Sequence, residues 1–290
     1  MSPTRPSRRQ VQRRRRVAGI VLALVAVAAV YLTLAATVFA PVDTHGAEVA
    51  RLTIDSEAVG EDLEVAVVLP EGTSGEPGKR PLLVFLHGRS GTADTYTGDE
   101  AFFRGLSGLG DRAPIVAFPD DDGDSYWHDR DTGNWGTYVI DEVIPMVAEQ
   151  FDADPERVAI GGISMGGFGA YNLALHNPGR FCAVGGHSPA LWFEGGDTAP
   201  GAFDDAEDFE RNDVIETIQS NPAAFGPTSI WNDAGTRDPF LISDTAFNET
   251  LEAADANLTA HTWPGEHDSA YWDSHWPAYL RFYADALAGC

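Results

Sequence analysis

The sequence predicts an α/β fold with a mostly parallel central sheet flanked by helices, and three observations predict it. Segments with strand and helix character alternate along the chain beyond residue 47. Several strand segments are apolar throughout, which is typical of parallel strands covered by helices on both faces. The glycine-rich sequence GGISMGGFGA then marks a sharp turn between one of these strands and the next helix.

The strands are placed by apolar runs that end at turn-forming residues. RLTI from Arg51 and LEVAVVLP from Leu63 predict a leading antiparallel pair. The strands predicted to follow are PLLVFLHG (81–88), PIVAFPD (114–120), VAIGG (158–162), FCAVGGHSP (181–189), TSIWNDAG (228–235) and LTAHTWPG (258–265).

The helices are placed by apolar residues at helical spacing. Four helices are predicted outside the acidic segment 191–225, over 136–151, 166–178, 247–256 and 274–289. The first of them is expected to kink at Pro145. The acidic segment 191–225 contains one further helical stretch, over 205–220. This segment is either a small cap over the functional site or an inserted surface helix.

The first forty residues differ in composition from the rest of the chain. Seven arginines lie in the basic segment 1–16, and the uncharged segment 17–40 is 24 residues long. A spanning helix needs roughly 20 apolar residues, whereas the apolar part of a signal peptide has roughly 7 to 15. The arginines orient such a helix with its N-terminus in the cytoplasm. We therefore expect a transmembrane signal anchor over 17–40 (or a cleaved signal peptide), a linker over 41–47 and an extracytoplasmic domain over 48–290.

The part beyond residue 40 is strongly acidic. It holds 12 of the 19 Lys and Arg residues and all 44 Asp and Glu residues, a net charge of −32. Such a charge repels a phosphate backbone, so nucleic acid is excluded as a partner. The two cysteines are too few for a disulfide framework. Cys182 is expected to be a small core residue in its strand, and a bond from it to Cys290 is left open.

Ser164 is the candidate nucleophile. It lies in the G-x-S-x-G pattern formed by residues 162–166. The pattern alone is a weak signal, but here it follows a predicted strand and precedes a predicted helix, as a nucleophile elbow requires. The alternative is a plain turn serine.

His267 is the candidate base. A serine hydroxyl is a weak nucleophile at neutral pH, so a base must take its proton and an acid must orient that base. His267 lies on the loop after the last predicted strand, and active sites gather at the C-terminal ends of parallel strands. Packing or solvated roles are expected for His261 within the strand, His275 at the start of the last helix and His176 at the end of the helix after Ser164.

Asp238 is the candidate acid. It lies on the loop after the strand over 228–235, from which its carboxylate can bend towards His267. The alternatives are Asp233, closer to that strand, and Asp268, adjacent to the histidine.

The oxyanion of an acyl intermediate needs two preorganised donors. One is the backbone N–H of Met165, directly after the nucleophile, and the loop after the strand over 81–88 supplies the second, for which we choose the N–H of Arg89. The alternative for this loop is a simple glycine turn.

No cofactor and no metal are expected. The acidic loop formed by Asp120, Asp122 and Asp124 hints at calcium ligation but lacks the downstream bidentate Glu, so a solvated loop is preferred. Four aromatic residues either line an acyl or aromatic pocket or pack in the core: Trp127, Trp135, Tyr271 and Trp272.

Taken together, these motifs resemble the Putative esterase family of α/β hydrolases, which includes esterase D (S-formylglutathione hydrolase), feruloyl esterase modules and mycobacterial mycolyltransferases. The resemblance runs from about Leu63 to Leu287 and rests on FLHG, Trp135 before a helix, RVAIGGISMGGFGA, HNPGRF, HSPAL, GTRDPF and PGEHDSAYW. It implies the α/β-hydrolase fold, a Ser-Asp/Glu-His triad whose motifs coincide with the three candidates above, and an oxyanion hole that coincides with Arg89 and Met165.

The substrate is less well defined than the chemistry. The LDGLR-type loop of mycolyltransferases is LHGRS here, and the cysteine-bearing loop of S-formylglutathione hydrolases is missing. The expected function is a serine carboxylic-ester hydrolase acting on a small-molecule or polymeric ester and anchored in the membrane by its N-terminal helix. The alternatives are acyl transfer to a sugar or another alcohol, and a non-catalytic binding domain.

Overall fold

The computed structural model describes residues 8–9, 42–72 and 79–290. The chain divides into two units, 1–42 and 43–290, and the elements around the candidate site belong to the second. The predicted membrane span over 17–40 lies outside the described residues. Within those ranges, no helix combines the length and the apolar character that crossing a membrane requires.

Eight strands form the central sheet. Their spatial order is β1 (Glu48–Asp55), β2 (Asp62–Leu69), β4 (Ile115–Pro119), β3 (Arg80–Leu86), β7 (Ala153–Ile163), β8 (Ala183–His187), β9 (Ser229–Gly235) and β10 (Leu258–Trp263). β5 (Asp129–Arg130) and β6 (Gly133–Asn134) form a separate short hairpin. β2 pairs antiparallel with β1 and β4, and every pair from β4 to β10 is parallel. The predicted mostly parallel sheet and its antiparallel leading pair are confirmed.

Helices flank this sheet. They are α1 (Glu100–Ser107), α2 (Trp135–Thr137), α3 (Ile144–Gln150), α4 (Met165–His176), α5 (Ala206–Arg211), α6 (Val214–Ser220), α7 (Leu241–Ala253) and α8 (Ser269–Gly289). A π-helix, Tyr138–Val143, joins α2 to α3. It ends two residues before Pro145, where the sequence predicted a kink.

Glycines in the central strands let α4 and α8 approach the sheet from its two faces. A Cβ at Gly161 would lie 1.8 Å from the Tyr283 hydroxyl of α8, and one at Gly186 would lie 2.6 Å from the Tyr171 ring of α4. Successive strand residues face opposite sides of a sheet. The glycines of β7 and β8 therefore bring both helices close to the strands that carry the candidate nucleophile.

Three predicted helix boundaries are wrong, and aspartate caps explain two of the differences. The single helix over 205–220 is two helices, because the Asp213 side chain accepts the N–H of Glu216 and begins α6. The last helix begins at Ser269 rather than 274, because Asp268 caps it through the N–H of Tyr271. α7 also begins earlier than predicted, at Leu241.

The two cysteines form a disulfide. Cys182 lies half-buried just before β8 and is bonded to Cys290 after the last helix, with the two Cα atoms 5.8 Å apart. The expectation that Cys182 is a plain core residue of a strand is therefore wrong. The bond ties the end of α8 to the start of a central strand.

Candidate active site

Ser164 sits on a strained turn between β7 and α4. Its φ of 56° and ψ of −115° are unusual for a residue other than glycine. A Cβ at Gly162 would lie 2.4 Å from the backbone of Gly166, and one at Gly166 would lie 2.1 Å from the carbonyl oxygen of Leu86. Both glycines are thus required for the chain to turn this sharply, and the turn presents the serine at the C-terminal edge of the sheet.

The loops after β9 and β10 bring an aspartate and a histidine to this serine. Nε2 of His267 lies 2.9 Å from Oγ of Ser164, and Nδ1 lies 2.9 Å from Oδ2 of Asp238. A carboxylate only accepts hydrogen bonds, so the ring proton sits on Nδ1 and Nε2 can accept the serine proton. The structure therefore brings the three predicted residues together although 103 residues separate Ser164 from His267.

Asp238 is buried and well supplied with donors. Burial opposes its ionisation, but the hydrogen bond and positive potential of His267, the N–H of Phe240 and the Ser188 hydroxyl together outweigh burial and lower its pKa. A carboxyl with a lowered pKa stabilises the fold above its ordinary pKa, and this contribution is lost as the pH falls through the lowered value. The carboxylate is therefore ionised at neutral pH, where it can hold the histidine.

The two alternative acids have other partners. Asp233 is buried, and its carboxylate accepts hydrogen bonds from His187, Trp231, Tyr271 and Tyr279. Asp268 caps α8. Neither carboxylate is hydrogen-bonded to the His267 ring, so the hydrogen bond from His267 to Asp238 decides between the candidates.

The other three histidines considered in the sequence, His261, His275 and His176, pack away from the serine hydroxyl. The rings of His261 and His275 lie on either side of Trp263, 4.4 and 4.1 Å from its centroid. His275 lies in the second turn of α8 rather than at its start. His176 contacts the carbonyl oxygen of Asn172 within α4.

Three further residues support the triad; of these, Ser188 and Phe240 were not predicted, and Trp272 was considered only as a pocket or core residue. The Ser188 hydroxyl bonds to the Asp238 carboxylate and accepts the indole N–H of Trp272 at 3.1 Å. The rings of Trp272 and Phe240 pack edge-on against His267, at centroid distances of 5.1 and 5.3 Å. The one sequence signal that could have pointed to Ser188 was its position at the end of a parallel strand.

Of the predicted oxyanion donors, Met165 follows Ser164 in the chain, and Arg89 lines the same cleft as Ser164. Met165 is the first residue of α4, where a backbone N–H has no acceptor within the helix. The Gly88 carbonyl accepts the N–H of Gly91 at 2.9 Å and lies 2.9 Å from Nδ1 of His87. The Gly88 carbonyl and the Arg89 N–H belong to the same trans peptide group and point in opposite directions. The contacts of this carbonyl therefore set the direction of the Arg89 N–H.

A cleft of about 830 Å³ opens above Ser164 and His267. Arg89 and three aromatic side chains, Tyr96, Trp272 and Trp276, are among the residues that line it. The volume is within the range of small-molecule sites. Of the four aromatics considered from sequence, Trp272 lines the cleft, while Trp127, Trp135 and Tyr271 are buried in the core.

The acidic loop is held by hydrogen bonds while Asp122 stays exposed to solvent. The Asp124 carboxylate accepts two hydrogen bonds from the Arg89 guanidinium, at 2.9 and 3.0 Å, and Asp122 accepts the N–H of Asp124. Among the described residues, no group of three or more His, Cys, Asp or Glu is arranged to hold a metal ion. The loop thus anchors the Arg89 side chain.

The acidic segment 191–225 borders the site. The Pro200 carbonyl accepts a hydrogen bond from Arg89 at 3.0 Å, and the Trp192 ring packs against Phe240. In the described part of the chain, none of its residues lines the cleft above Ser164. The segment therefore supports the rim and does not cap the cleft.

The model of the family described as Putative esterase matches residues 56–283, a range that includes Ser164, Asp238 and His267. The chain belongs to this family. It has the α/β-hydrolase fold, so the predicted family and fold class are confirmed.

Known members of the family and its fold show the extent of the likeness. The chain is 28% identical over 212 residues to the iron(III) enterobactin esterase of Dickeya dadantii, covering 69% of this chain and 47% of that protein. It is 27% identical over 222 residues to the S-formylglutathione hydrolase of Bos taurus, covering 66% and 76%. The fold of an S-formylglutathione hydrolase from Agrobacterium tumefaciens superposes with a TM-score of 0.71 at 22% identity, covering 83% and 96%. The chain spans about half the length of the first curated relatives it matches.

Proposed function

We propose that this protein is an extracytoplasmic serine carboxylic-ester hydrolase that works through an acyl-enzyme intermediate. The observation that carries the proposal is the continuous hydrogen-bonded chain from Asp238 through His267 to Ser164. The chain ends in an open cleft. A plain turn serine or a non-catalytic binding domain has no need of this arrangement.

The first half-reaction forms the acyl-enzyme. Oγ of Ser164 attacks the ester carbonyl carbon while Nε2 of His267 takes the hydroxyl proton. The carbonyl oxygen becomes an oxyanion that accepts the N–H groups of Arg89 and Met165. The imidazolium, stabilised by Asp238, then gives its proton to the alkoxide as the C–O bond breaks and the alcohol leaves.

The second half-reaction releases the acid. A water molecule loses a proton to Nε2 of His267 and attacks the acyl carbon, and the returning proton restores the Ser164 hydroxyl as the acid departs. An alcohol in place of this water would give acyl transfer. Product analysis with and without an acceptor sugar distinguishes the two outcomes.

Covalent labelling tests the role of the serine. A fluorophosphonate probe should label the wild-type protein, because His267 activates Ser164 towards phosphorus as it does towards an acyl carbon. Ser164→Ala should abolish the labelling, as read by gel fluorescence and intact mass. Ser107→Ala, an exposed serine outside the cleft, should label like wild type. Labelling that survives in Ser164→Ala would refute the assignment.

Two features support the extracytoplasmic location. The uncharged segment 17–40 follows seven arginines, and disulfides persist chiefly in oxidising compartments. We therefore propose that the membrane anchor is retained and that the folded domain lies outside the cytoplasm.

Cell fractionation tests this location. The full-length protein should sediment with membranes at full mass, and protease added to intact spheroplasts should remove the folded domain. A soluble, shortened product would instead indicate cleavage. Full-length protein that stays protected in intact spheroplasts would contradict the extracytoplasmic location.

A further inference from the structure

The cleft above Ser164 has an acidic wall that the proposed mechanism does not use. Three carboxyl side chains line it, those of Asp99, Glu100 and Asp273. Glu100 is exposed and paired with Arg104 at 2.6 Å, one helical turn away. Asp99 and Asp273 have no cationic partner among the described residues, so they decide the charge of this wall.

Asp99 and Asp273 form a carboxyl pair between two helices. Asp99 caps α1 through the N–H groups of Ala101 and Phe102, and it accepts the indole N–H of Trp276 at 2.5 Å. Asp273, in the second turn of α8, is hydrogen-bonded to Asp99. Two carboxyl groups can hydrogen-bond to each other only if one holds a proton.

The charge of the pair changes in the accessible pH range. Asp273 is exposed on the cleft wall, yet partial burial of its carboxyl group, the charge of Asp99, the hydrogen bond to Asp99 and the charge of Asp268 together raise its pKa to about 6. The Tyr96 hydroxyl also faces both carboxyl groups, and its own pKa is raised, first by burial. Since the ordinary pKa of an aspartate is about 3.9, the pair carries one negative charge below the raised value and two above it.

No free cation compensates this charge inside the cleft. Apart from His267, the candidate base, Arg89 is the one basic side chain among the residues that line the cleft in the described part of the chain. Its guanidinium is already bound by Asp124 and the Pro200 carbonyl. A cleft with one sign of charge focuses the field on whatever enters it.

We infer that the Asp99–Asp273 pair is a specificity determinant that admits uncharged and cationic esters and rejects esters carrying a carboxylate or phosphate close to the scissile bond. This inference rests on the proposed function, because the pair acts on the substrate that Ser164 attacks. The half-buried ring of Trp272, backed by the buried rings of Tyr96 and Trp276, provides apolar surface for the neutral part of such a substrate.

Three p-nitrophenyl esters of matched shape test the inference. The anionic ester is the p-nitrophenyl half-ester of glutarate, and the cationic ester is p-nitrophenyl trimethylammonio-butyrate. In the neutral ester, a tert-butyl group replaces the trimethylammonio group. With the Ser164→Ala background subtracted, wild-type kcat/KM at about pH 8 should be at least about tenfold lower for the anionic than for the neutral ester. Asp273→Asn should raise the anionic-to-neutral ratio about fivefold, since it removes one charge and keeps the shape.

The pH and salt dependence provide a second readout on wild-type protein. The anionic-to-neutral ratio should rise as the pH falls through about 6, where the pair loses one charge. Added salt should bring kcat/KM for both charged esters closer to kcat/KM for the neutral ester. This readout applies even if Asp273→Asn fails to fold.

Asp111→Asn is the matched control. Asp111 is exposed and lies just before β4, at the end of the sheet opposite Ser164, so this loss of charge should leave the ratio unchanged. Fluorophosphonate labelling of Asp273→Asn reports an intact site. A ratio that shifts less than twofold in labelled Asp273→Asn, or a wild-type ratio independent of pH and salt, would overturn the inference. Absence of labelling and of hydrolysis in wild type would instead overturn the proposed function.

Discussion

His267→Ala should lower kcat by about four orders of magnitude or more on a neutral ester. Its Nε2 atom lies 2.9 Å from Ser164 Oγ, and no other histidine contacts that oxygen in the described part of the chain. Without the imidazole, the serine must lose its proton to water. Steady-state kinetics with active-site titration should show the loss in kcat, with KM changed far less.

His176→Ala is the matched control for this substitution. His176 ends α4 and contacts the Asn172 carbonyl, away from the serine. Its replacement should leave kcat within about twofold, as expected for a site outside the cleft. A His267→Ala enzyme that turns over at a tenth of the wild-type rate or faster would contradict the role of His267 as the base.

Asp238→Asn should act through the same histidine. The amide fills the space of the carboxylate, but its NH₂ group cannot accept the Nδ1 proton, so the histidine adopts the wrong tautomer and kcat should fall about 10³- to 10⁴-fold. Asp268→Asn separates this role from that of the neighbouring aspartate, since asparagine caps a helix about as well as aspartate. Equal losses in the two variants would contradict the assignment of Asp238.

Removing the Cys182–Cys290 bond should lower the free energy of unfolding by about 4–5 kcal/mol, the second large effect expected here. The bond spans 108 residues, and a loop of that size restricts the unfolded chain strongly. For a domain of about 250 residues this corresponds to a drop in Tm of roughly 10–15 °C. Calorimetry on oxidised protein and on Cys182→Ser, Cys290→Ser and the double variant measures it.

The three cysteine variants should behave alike. Each of them removes the same bond, so the losses should not add. Single variants that differ widely from the double variant would indicate that one cysteine stabilises the fold by its packing. A Tm equal to that of the oxidised wild-type protein in all three would contradict the stabilising role of the bond.

Features encoded over short stretches were predictable from the sequence. The order of strands follows from apolar runs and breakers, and the elbow follows from glycines on both sides of Ser164 because a tight strand-to-helix turn excludes side chains. The choice of His267 also needed only its place after a parallel strand. The predicted starts of two helices were wrong, and the helices in fact begin at Leu241 and Ser269. Local caps and packing set these boundaries, and the spacing of apolar residues does not reveal them.

The choice among acids shows where the sequence becomes insufficient. Asp233, Asp238 and Asp268 all lie on the C-terminal side of the sheet, and a carboxylate at any of them could be drawn towards a histidine. The contacts separate them, because Asp233 accepts four buried donors and Asp268 caps α8, which leaves Asp238 to His267.

By itself the sequence determined the sheet, the strained turn that carries Ser164 and the family to which the chain belongs, because each depends on neighbouring residues or on short motifs. The tertiary structure alone decided that Cys182 meets Cys290 and that Asp99 meets Asp273 in one wall of the cleft. The members of each pair are more than a hundred residues apart in the chain. Contacts of that range depend on how α1, α8 and β8 pack, and no local pattern of residue types encodes that packing.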